Sequence, residues 1–424
     1  MFWICIFFAG VWLFFSIVVS IPWILDLAEI LTFPIALFVI SSLAYLPGFF
    51  NTFLLMSLIL YRERSIEGVS PISHVTILIA AYNEENRIIR TLRHIANQDY
   101  EGPLDIIVID NSSVDETVQR IQRAAALLPI SITLLQEPRQ GKFHALNTGL
   151  SQVKTELVIT LDADTDLHPS AVRRIVSRMK MSDERVSAVA GAVFVRNSGE
   201  SFMARMQDWD YFLGIASIKR MQGMYQSTLV AQGAFSLYKT EEIQKIGGWQ
   251  DTIGEDIVLT WQLLHDGNQV LFEPTALAFT DVPASLRHFI IQRARWARGM
   301  IEALKRYHPW NHPGKGSKYL TLVNLLIPFV DFTFTVFWIP GLILAFMGSY
   351  HIVGLTTLYV LPITSVTFYG MYIYQNFIFS RLGVKKRANL LGAVGFLLLY
   401  QILMSPTSLW GYWQELKGGK RIWK

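Results

Sequence analysis

The stretch HVTILIAAYNEE, residues 74–85, decides the fold. Its first part is an almost unbroken apolar run, the pattern of a strand covered on both faces. It stops at Tyr82, Asn83, Glu84 and Glu85. The same alternation recurs downstream, where 105–110, 132–136, 157–162 and 187–193 read as further strands. Between them, residues 84–97, 115–127, 143–153 and 170–181 have helical length and apolar spacing. Such β-α alternation predicts a mostly parallel α/β sheet. Ligands of these sheets bind beyond the carboxyl ends of the strands. The residues at those ends are polar: Tyr82 to Glu85, then Asp110-Asn111-Ser112-Ser113, then Asp162-Ala163-Asp164. Together they predict a cleft along one edge of the sheet.

Outward from this centre the composition changes on both sides. The chain has 424 residues, 52% of them hydrophobic and only 17% charged. Soluble domains are nearer to about a quarter charged, so an ordinary cytosolic enzyme and a disordered chain are both excluded. A net charge of +4 is too small to imply a nucleic-acid partner. The lone Cys5 cannot build an internal disulfide, a zinc cluster or a redox pair. Residues 1–61 carry no Lys or Arg, and Asp26 and Glu29 divide them into apolar runs 1–25 and 30–60. Each exceeds the ~20 residues that cross a bilayer as a helix. A cleaved signal peptide fits the first run poorly, because it lacks a basic n-region and its apolar core is too long. Arg62 and Arg64 follow at once, which places the N-terminus and the chain from residue 62 in the cytoplasm.

After Lys318 the apolar runs return, at 319–348, 352–379 and 388–410, with Arg381, Lys385, Lys386 and Arg387 between the last two. A cytoplasmic basic cluster makes the first two runs an in–out–in pair. A third full crossing would leave Lys417, Lys420, Arg421 and Lys424 outside, against the positive-inside rule. Alternatively, Pro406 breaks the last run into a re-entrant hairpin, or a long run holds two segments. The expectation is about five membrane segments: two in 1–61, a charged domain over 62–318 with an interfacial amphipathic helix near 284–305, and the rest with a short basic tail in 319–424.

The chemistry lies in the charged domain. Asp162 and Asp164, one residue apart at a strand end, can hold a hard divalent cation beside a phosphate. Asp-x-Asp alone is also common in solvated turns, so its neighbours decide. Asp110 ends another strand. Gln140-Gly141-Lys142 couples a glycine, which lets backbone approach a phosphate, with a cation. Gly254-Glu255-Asp256 opens a helical run, where a carboxylate serves as cap or as chemistry. Gln292-Arg293-Ala294-Arg295-Trp296 sets two arginines beside an indole. That combination also suits a basic helix on a membrane surface, and the two readings are compatible. His308 and His312 read as part of a solvated loop. Ala231-Gln232-Gly233-Ala234 is either a simple turn or a close approach to an acceptor.

The ordered set Ala-Tyr-Asn-Glu-Glu (81–85), Asp110 with Asp115, Asp-Ala-Asp (162–164), Glu-Asp (255–256) and Gln-x-x-Arg-Trp (292–296) resembles family 2 glycosyltransferases. More narrowly it is similar to the membrane-embedded processive group that makes cellulose, chitin, hyaluronan and poly-N-acetylglucosamine. Residues 254–263, 272–277 and 292–299 are most similar to the poly-N-acetylglucosamine branch. The resemblance covers residues 74 to about 305, and the flanking membrane segments fit it. It implies a GT-A type α/β domain, a UDP-sugar donor, and Mg²⁺ or Mn²⁺ as cofactor. It assigns Tyr82 and Glu84 to the nucleotide loop, Asp110 to uracil, and Lys142 to the nucleotide's surroundings. Asp162 goes toward the ribose and donor sugar, and Asp164 becomes the metal ligand. Asp256 matches the catalytic base, with Glu255 beside it in the substrate-binding set. Gln292, Arg295 and Trp296 match the signature at the acceptor and diphosphate.

The resemblance further implies a growing glycan or lipid acceptor, surrounding membrane lipid, a small membrane accessory subunit with cyclic-di-GMP control, and a bacterial inner-membrane location. One base and no nucleophilic carboxylate imply single displacement with inversion, so an α-linked donor gives a β-linked product. Two other functions compete. A glycolipid synthase would add one sugar with the same residues, and product length separates the two. A transporter would need charges inside its spans, and Asp331 is the clear acidic residue in a C-terminal run.

Overall fold

A computed structural model of the protein describes residues 1–61, 65–354, 357–385 and 389–419. Arg62, Arg64, Lys386, Arg387, Lys420, Arg421 and Lys424, which carry part of the topology argument, lie outside the described residues.

The charged domain is built on strands β1 (Val75–Ala81), β2 (Leu104–Asp110), β3 (Ser131–Gln136), β4 (Leu157–Asp162), β5 (Asp166–Leu167), β6 (Val186–Val195), β7 (Phe235–Lys239) and β8 (Gln269–Thr280). They form one sheet in the order β3-β2-β1-β4-β7-β6-β8-β5. The first four in that order are mutually parallel. β7 runs antiparallel to both its neighbours, β4 and β6. β6 and β8 are again parallel. β6 is buried along its whole length, as the continuous apolar pattern requires. The helices Ile88–Ala96, Thr117–Leu127, Lys142–Leu150 and Ala171–Lys180 fill the crossovers where the spacing placed them.

Register aligns the strand ends. Ala80 pairs with Asp162 and Ala81 with Asp110, so the polar tips after β1, β2 and β4 share one edge. The reversal of β7 brings its amino end to that same edge, where Leu161 pairs with Phe235. Residues 231–234 are thereby delivered to the cleft.

Four helices among the described residues are long and apolar enough to cross a membrane: Phe2–Ile30, Phe33–Leu60, Lys315–Phe346 and Leu390–Leu416. A fifth, Thr357–Arg381, has 25 residues. Contacts sort their ends. Phe2 packs edge-on against Tyr225 of the domain at 5.6 Å and Tyr319 at 5.7 Å, and Ser57 shares a 2.8 Å hydrogen bond with Tyr225. Arg381 pairs with Glu67. At the far ends, His351 meets Asp26 at 3.1 Å, and Trp23 donates to the His351 carbonyl at 2.8 Å. The first two helices, and then Lys315–Phe346 with Thr357–Arg381, thus form two hairpins whose open ends face the domain.

The last helix behaves differently. It continues through Pro406 without breaking. At its start Asn389 donates to the Arg205 carbonyl at 2.9 Å, and near its finish Glu415 pairs with Lys305 at 3.1 Å. Both ends touch the charged domain. Lys417 therefore stays on the domain's side, while Lys420, Arg421 and Lys424 lie outside the described residues. Asp331, on Lys315–Phe346, accepts hydrogen bonds from Ser405 at 2.7 Å and Tyr412 at 2.8 Å. It thereby clasps two helices.

Candidate active site

Three loops converge on the edge of the sheet. Asn111, fully buried after β2, donates to the carbonyls of Glu137 and Arg139 at 3.0 and 2.8 Å and accepts from the Gly141 N–H at 2.8 Å. These bonds set the Gln140-Gly141-Lys142 turn. Gly141 sits at φ +140°, a conformation that excludes ordinary side chains. Lys142 then opens its helix and reaches across the cleft. Its Nζ lies 2.6 Å from Asp162 Oδ1 and 3.4 Å from Glu255 Oε1. Burial pulls the ammonium pKa down, but the two carboxylates outweigh it and hold it above the usual lysine value.

Gly233 sits where these groups meet. A Cβ added there would come within 2.5 Å of Lys142 Nζ and 3.9 Å of Asp162 Oδ1. The glycine is therefore required by close approach. Its N–H donates to Asp256 Oδ2 at 3.3 Å. Asp256 Oδ1 accepts from the Ile257 N–H at 2.8 Å, so this carboxylate caps its helix and faces the cleft at once. Glu255 is raised by burial, with Lys142 opposing and Asp256 adding; Arg295 also acts on it.

On the other flank, Glu84 and Asp164 form an acidic pair. Burial lifts Glu84 to about 7, reinforced by Asp164. Burial lifts Asp164 to about 6, reinforced by Asp162 and opposed by Arg87 and Arg196. Asp164 Oδ1 accepts from the Thr280 hydroxyl at 3.3 Å, which ties it to the end of β8. No group of three or more His, Cys, Asp or Glu arranged for a metal exists among the described residues. Asp162 and Asp164 instead offer two carboxylates, the number that magnesium takes when substrate phosphates complete its shell.

The helix Leu286–Arg306 brings the last set. It packs backbone to backbone on the helix Glu255–His265: a Cβ on Gly254 would lie 2.7 Å from Gly299 Cα. Glu302 of the same helix accepts from the Ile253 N–H at 2.7 Å and fixes the junction. The two arginines of the signature part company. Arg293 is 3% exposed, pairs with Asp210 at 2.9 Å, and lies 4.2 Å from the Trp296 ring centroid. It does not snorkel. Arg295 lies on the other side, toward Glu255. Trp296 stays 41% exposed, its ring against Arg293 and 6.2 Å from that of Tyr211. The Gln292 Oε1 is buried with no hydrogen-bond partner among the described residues, which leaves it able to accept one.

The structure thus gathers Lys142, Asp162, Glu255 and Asp256 around Gly233, with Glu84 and Asp164 adjoining. Tyr82 is half-buried at the end of β1 and Asp110 is buried at the end of β2. Sequence reasoning placed Asn111 at a polar strand end without giving it a role, and did not single out Lys219, Asp210 or Glu302. Lys219 donates to the Val230 carbonyl at 2.8 Å and to Gln232, and burial lowers it to about 8 against the pull of Asp256. His312 corrects the expectation of a solvated loop. It is 1% exposed and meets Trp261 edge-on at 5.9 Å, because the turn Pro309–Asn311 folds it inward.

The mostly parallel sheet thus carries an acidic edge, with the capped Asp256 carboxylate facing it and the helix Leu286–Arg306, which bears Gln292 and Trp296, alongside. Residues 71–299, more than half of the chain, match the model described as "Glycosyltransferase like family 2", and the chain belongs to that family. Among named relatives, a poly-β-1,6-N-acetyl-D-glucosamine synthase of Staphylococcus aureus (strain MSSA476) is 34% identical over 240 residues, covering 56% of this chain and 57% of the relative. The synthase of the same name from Staphylococcus epidermidis is 31% identical over 258 residues, 61% of this chain and 60% of that one. The chain therefore matches under two thirds of these relatives' length. Among solved structures, a mannosyltransferase from Pyrobaculum calidifontis, in complex with GDP-Man and Mn²⁺, superposes with TM-score 0.60 at 19% identity over 90% of this chain and 99% of that one. This last likeness concerns the fold.

Proposed function

We propose that the chain is an inverting membrane glycosyltransferase that extends a β-linked polysaccharide, poly-N-acetylglucosamine, from UDP-N-acetylglucosamine. The observation that carries the reaction type is the pairing at Gly233, which sets the Asp256 carboxylate beside the Lys142–Asp162 pair. The sugar is suggested by the Staphylococcus relatives and their names. The catalytic domain is assigned to the cytoplasmic side of a bacterial inner membrane, in keeping with helix ends that gather at the domain. A growing glycan is the acceptor, and a small membrane subunit is the candidate partner.

In this reading Tyr82, Glu84 and Asp110 hold the nucleotide, and Lys142 and Asp162 orient the ribose and sugar. Asp256 takes the proton of the attacking hydroxyl, as a general base within about 3 Å can. Arg295 and Gln292 meet the departing diphosphate, where charge develops in the transition state. Trp296 offers a flat face to the acceptor sugar. Asp162 and Asp164 fit a divalent cation: the Asp164 carboxylate is raised by burial and by Asp162 beside it, and of the two Lys142 pairs with Oδ1 of Asp162 alone. When bound, Mg²⁺ or Mn²⁺ would neutralise the diphosphate.

Two outcomes test that donor set. Asp164→Ala is expected to abolish metal-dependent donor binding, read by titrating Mg²⁺ or Mn²⁺ against UDP affinity; an unchanged titration contradicts the assignment. The second outcome concerns protons. Glu84 and Asp164 are raised to about 7 and about 6. A cation favours their charged forms, so its binding releases protons and its affinity rises with pH across about 6 to 7. Calorimetry in buffers of different ionisation enthalpy reads this directly, and zero proton release at pH 6.5 contradicts it.

A further inference from the structure

The reaction as read above gives Lys219 no part. It ends the π-helical turn Gly214–Lys219, a kind of turn that is rare and frequent at functional sites. The turn packs against Leu46–Leu60 and Thr357–Arg381, so two apolar helices back it. Lys142 meets two carboxylates, whereas the two acceptors of the Lys219 ammonium are neutral oxygens. Burial lowers Lys219 to about 8, and only the charge of Asp256 opposes it. Removing an ammonium from water without a counter-charge costs free energy. Something the ammonium holds must repay that cost.

What it holds is the loop 230–233, ahead of β7. Lys219 Nζ donates to the Val230 carbonyl at 2.8 Å and to Gln232 Oε1. The other end of that amide, Gln232 Nε2, donates to the Gly191 carbonyl of β6 at 2.7 Å, which fixes its orientation. The Ala231 N–H donates to the Thr260 hydroxyl at 2.9 Å, and the Ala231 carbonyl accepts from the Tyr238 hydroxyl of β7 at 2.8 Å. Thr260 also donates to the Asp256 carbonyl at 2.6 Å. Finally the Gly233 N–H reaches Asp256 Oδ2. Each of the four residues is thus tied. Two anchors are the sheet and the helix that carries Asp256. Lys219 is the third, and it comes from neither.

The tolerance at this loop is small. A Cβ on Gly233 would already lie 2.5 Å from Lys142 Nζ. We propose that Lys219 is a positioning residue for transfer: by holding Val230 and Gln232 it seats Gly233 between Asp256 and the Lys142–Asp162 pair. The inference rests on the transferase reading above. In this role Lys219 touches neither sugar nor nucleotide. It sets the gap that the attacking hydroxyl must enter.

The test compares the full chain in membranes as wild type, Lys219→Met, Lys219→Arg and Gln232→Leu. Lys219→Met keeps the apolar stem and removes the donors. Gln232→Leu keeps the ammonium and removes its side-chain acceptor. Lys219→Met is expected to lower kcat roughly 10²-fold, the scale of a misplacement near 1 Å. Metal-dependent UDP affinity and the KM for UDP-sugar should stay at wild-type values. Lys219→Arg should recover part of the rate, because a guanidinium can donate to both oxygens. Gln232→Leu should slow transfer in the same way, and the double variant should lose no more than the worse single one. Losses that multiply in the double variant contradict the shared contact. A kcat loss matched by weaker UDP binding and a lower melting temperature would make Lys219 a general strut and overturn the proposal.

Hydrogen exchange reads the loop without turnover. The Ala231 and Gly233 amides should exchange roughly tenfold faster in Lys219→Met, the worth of one charged hydrogen bond. Unchanged exchange overturns the anchor whatever the rates are. Faster exchange with wild-type kcat overturns the positioning role and leaves the transferase reading intact. A wild type that transfers no sugar, while the loop responds as expected, overturns that reading and the positioning role with it.

Discussion

Asp256→Asn is expected to slow sugar transfer by roughly 10²-fold or more, the scale on which a positioned general base acts. Donor binding should change little, because the proposed function gives the donor side to Lys142, Asp162 and Asp164, whose own contacts do not involve Asp256. The substitution is close to neutral for the fold. The Asn amide oxygen can still accept from Ile257, as Asp256 Oδ1 does at 2.8 Å. With the oxygen kept on Ile257, the amide nitrogen faces the Gly233 N–H, so the one cost is that 3.3 Å hydrogen bond. A loss of rate with intact UDP affinity therefore isolates proton removal from capping. Normal turnover in Asp256→Asn, measured as UDP release, removes this residue from the mechanism.

Gly299→Ala is expected to cost about 10²-fold in kcat, the scale of a misplacement near 1 Å. A Cβ at Gly299 would lie 2.9 Å from Gly254 Cα and 3.2 Å from its nitrogen. Both atoms are backbone, so the helices Glu255–His265 and Leu286–Arg306 must separate. Asp256 rides on the first, and Gln292, Arg295 and Trp296 ride on the second. The helix itself gains from the change, since Ala is favoured over Gly by about 1 kcal/mol in a helix interior. Helix propensity and site geometry thus pull in opposite directions. A variant with wild-type kcat and a raised melting temperature would mean that the close contact does not position the site. A variant that melts normally but transfers slowly, with unaltered metal-dependent UDP binding, is the expected result.

Much of this arrangement was legible in the sequence, for a physical reason. Parallel strands buried on both faces leave unbroken apolar runs, and β1, β2, β3, β4 and β6 were read from them to within a few residues. β7 left no such trace, because Phe235–Lys239 is five residues long and mixes Ser and Lys with its apolar positions. β8 was masked by Glu273 and Pro274 within the strand. Glu273 is nonetheless 1% exposed, satisfied by Arg178 at 2.6 Å, a pairing between residues far apart in the chain. Motif carboxylates could be picked out because strand ends announce them. The role of Asn111, and Lys219 and Glu302 altogether, could not, because each works by reaching a backbone group brought close by folding. The split between Arg293 and Arg295 follows from helical period alone, since residues two apart face opposite ways. Gly233 needed the structure: a turn and a close approach look alike until Lys142 is seen against it.

The most direct measurement incubates membranes containing the full chain with Mg²⁺ and a panel of labelled UDP-sugars, then sizes the product. The expected result is a long product from UDP-N-acetylglucosamine, digested by a β-1,6-specific hexosaminidase and lost in Asp256→Asn. A product limited to one sugar on a lipid, or the same label transfer from Asp256→Asn membranes, would contradict it.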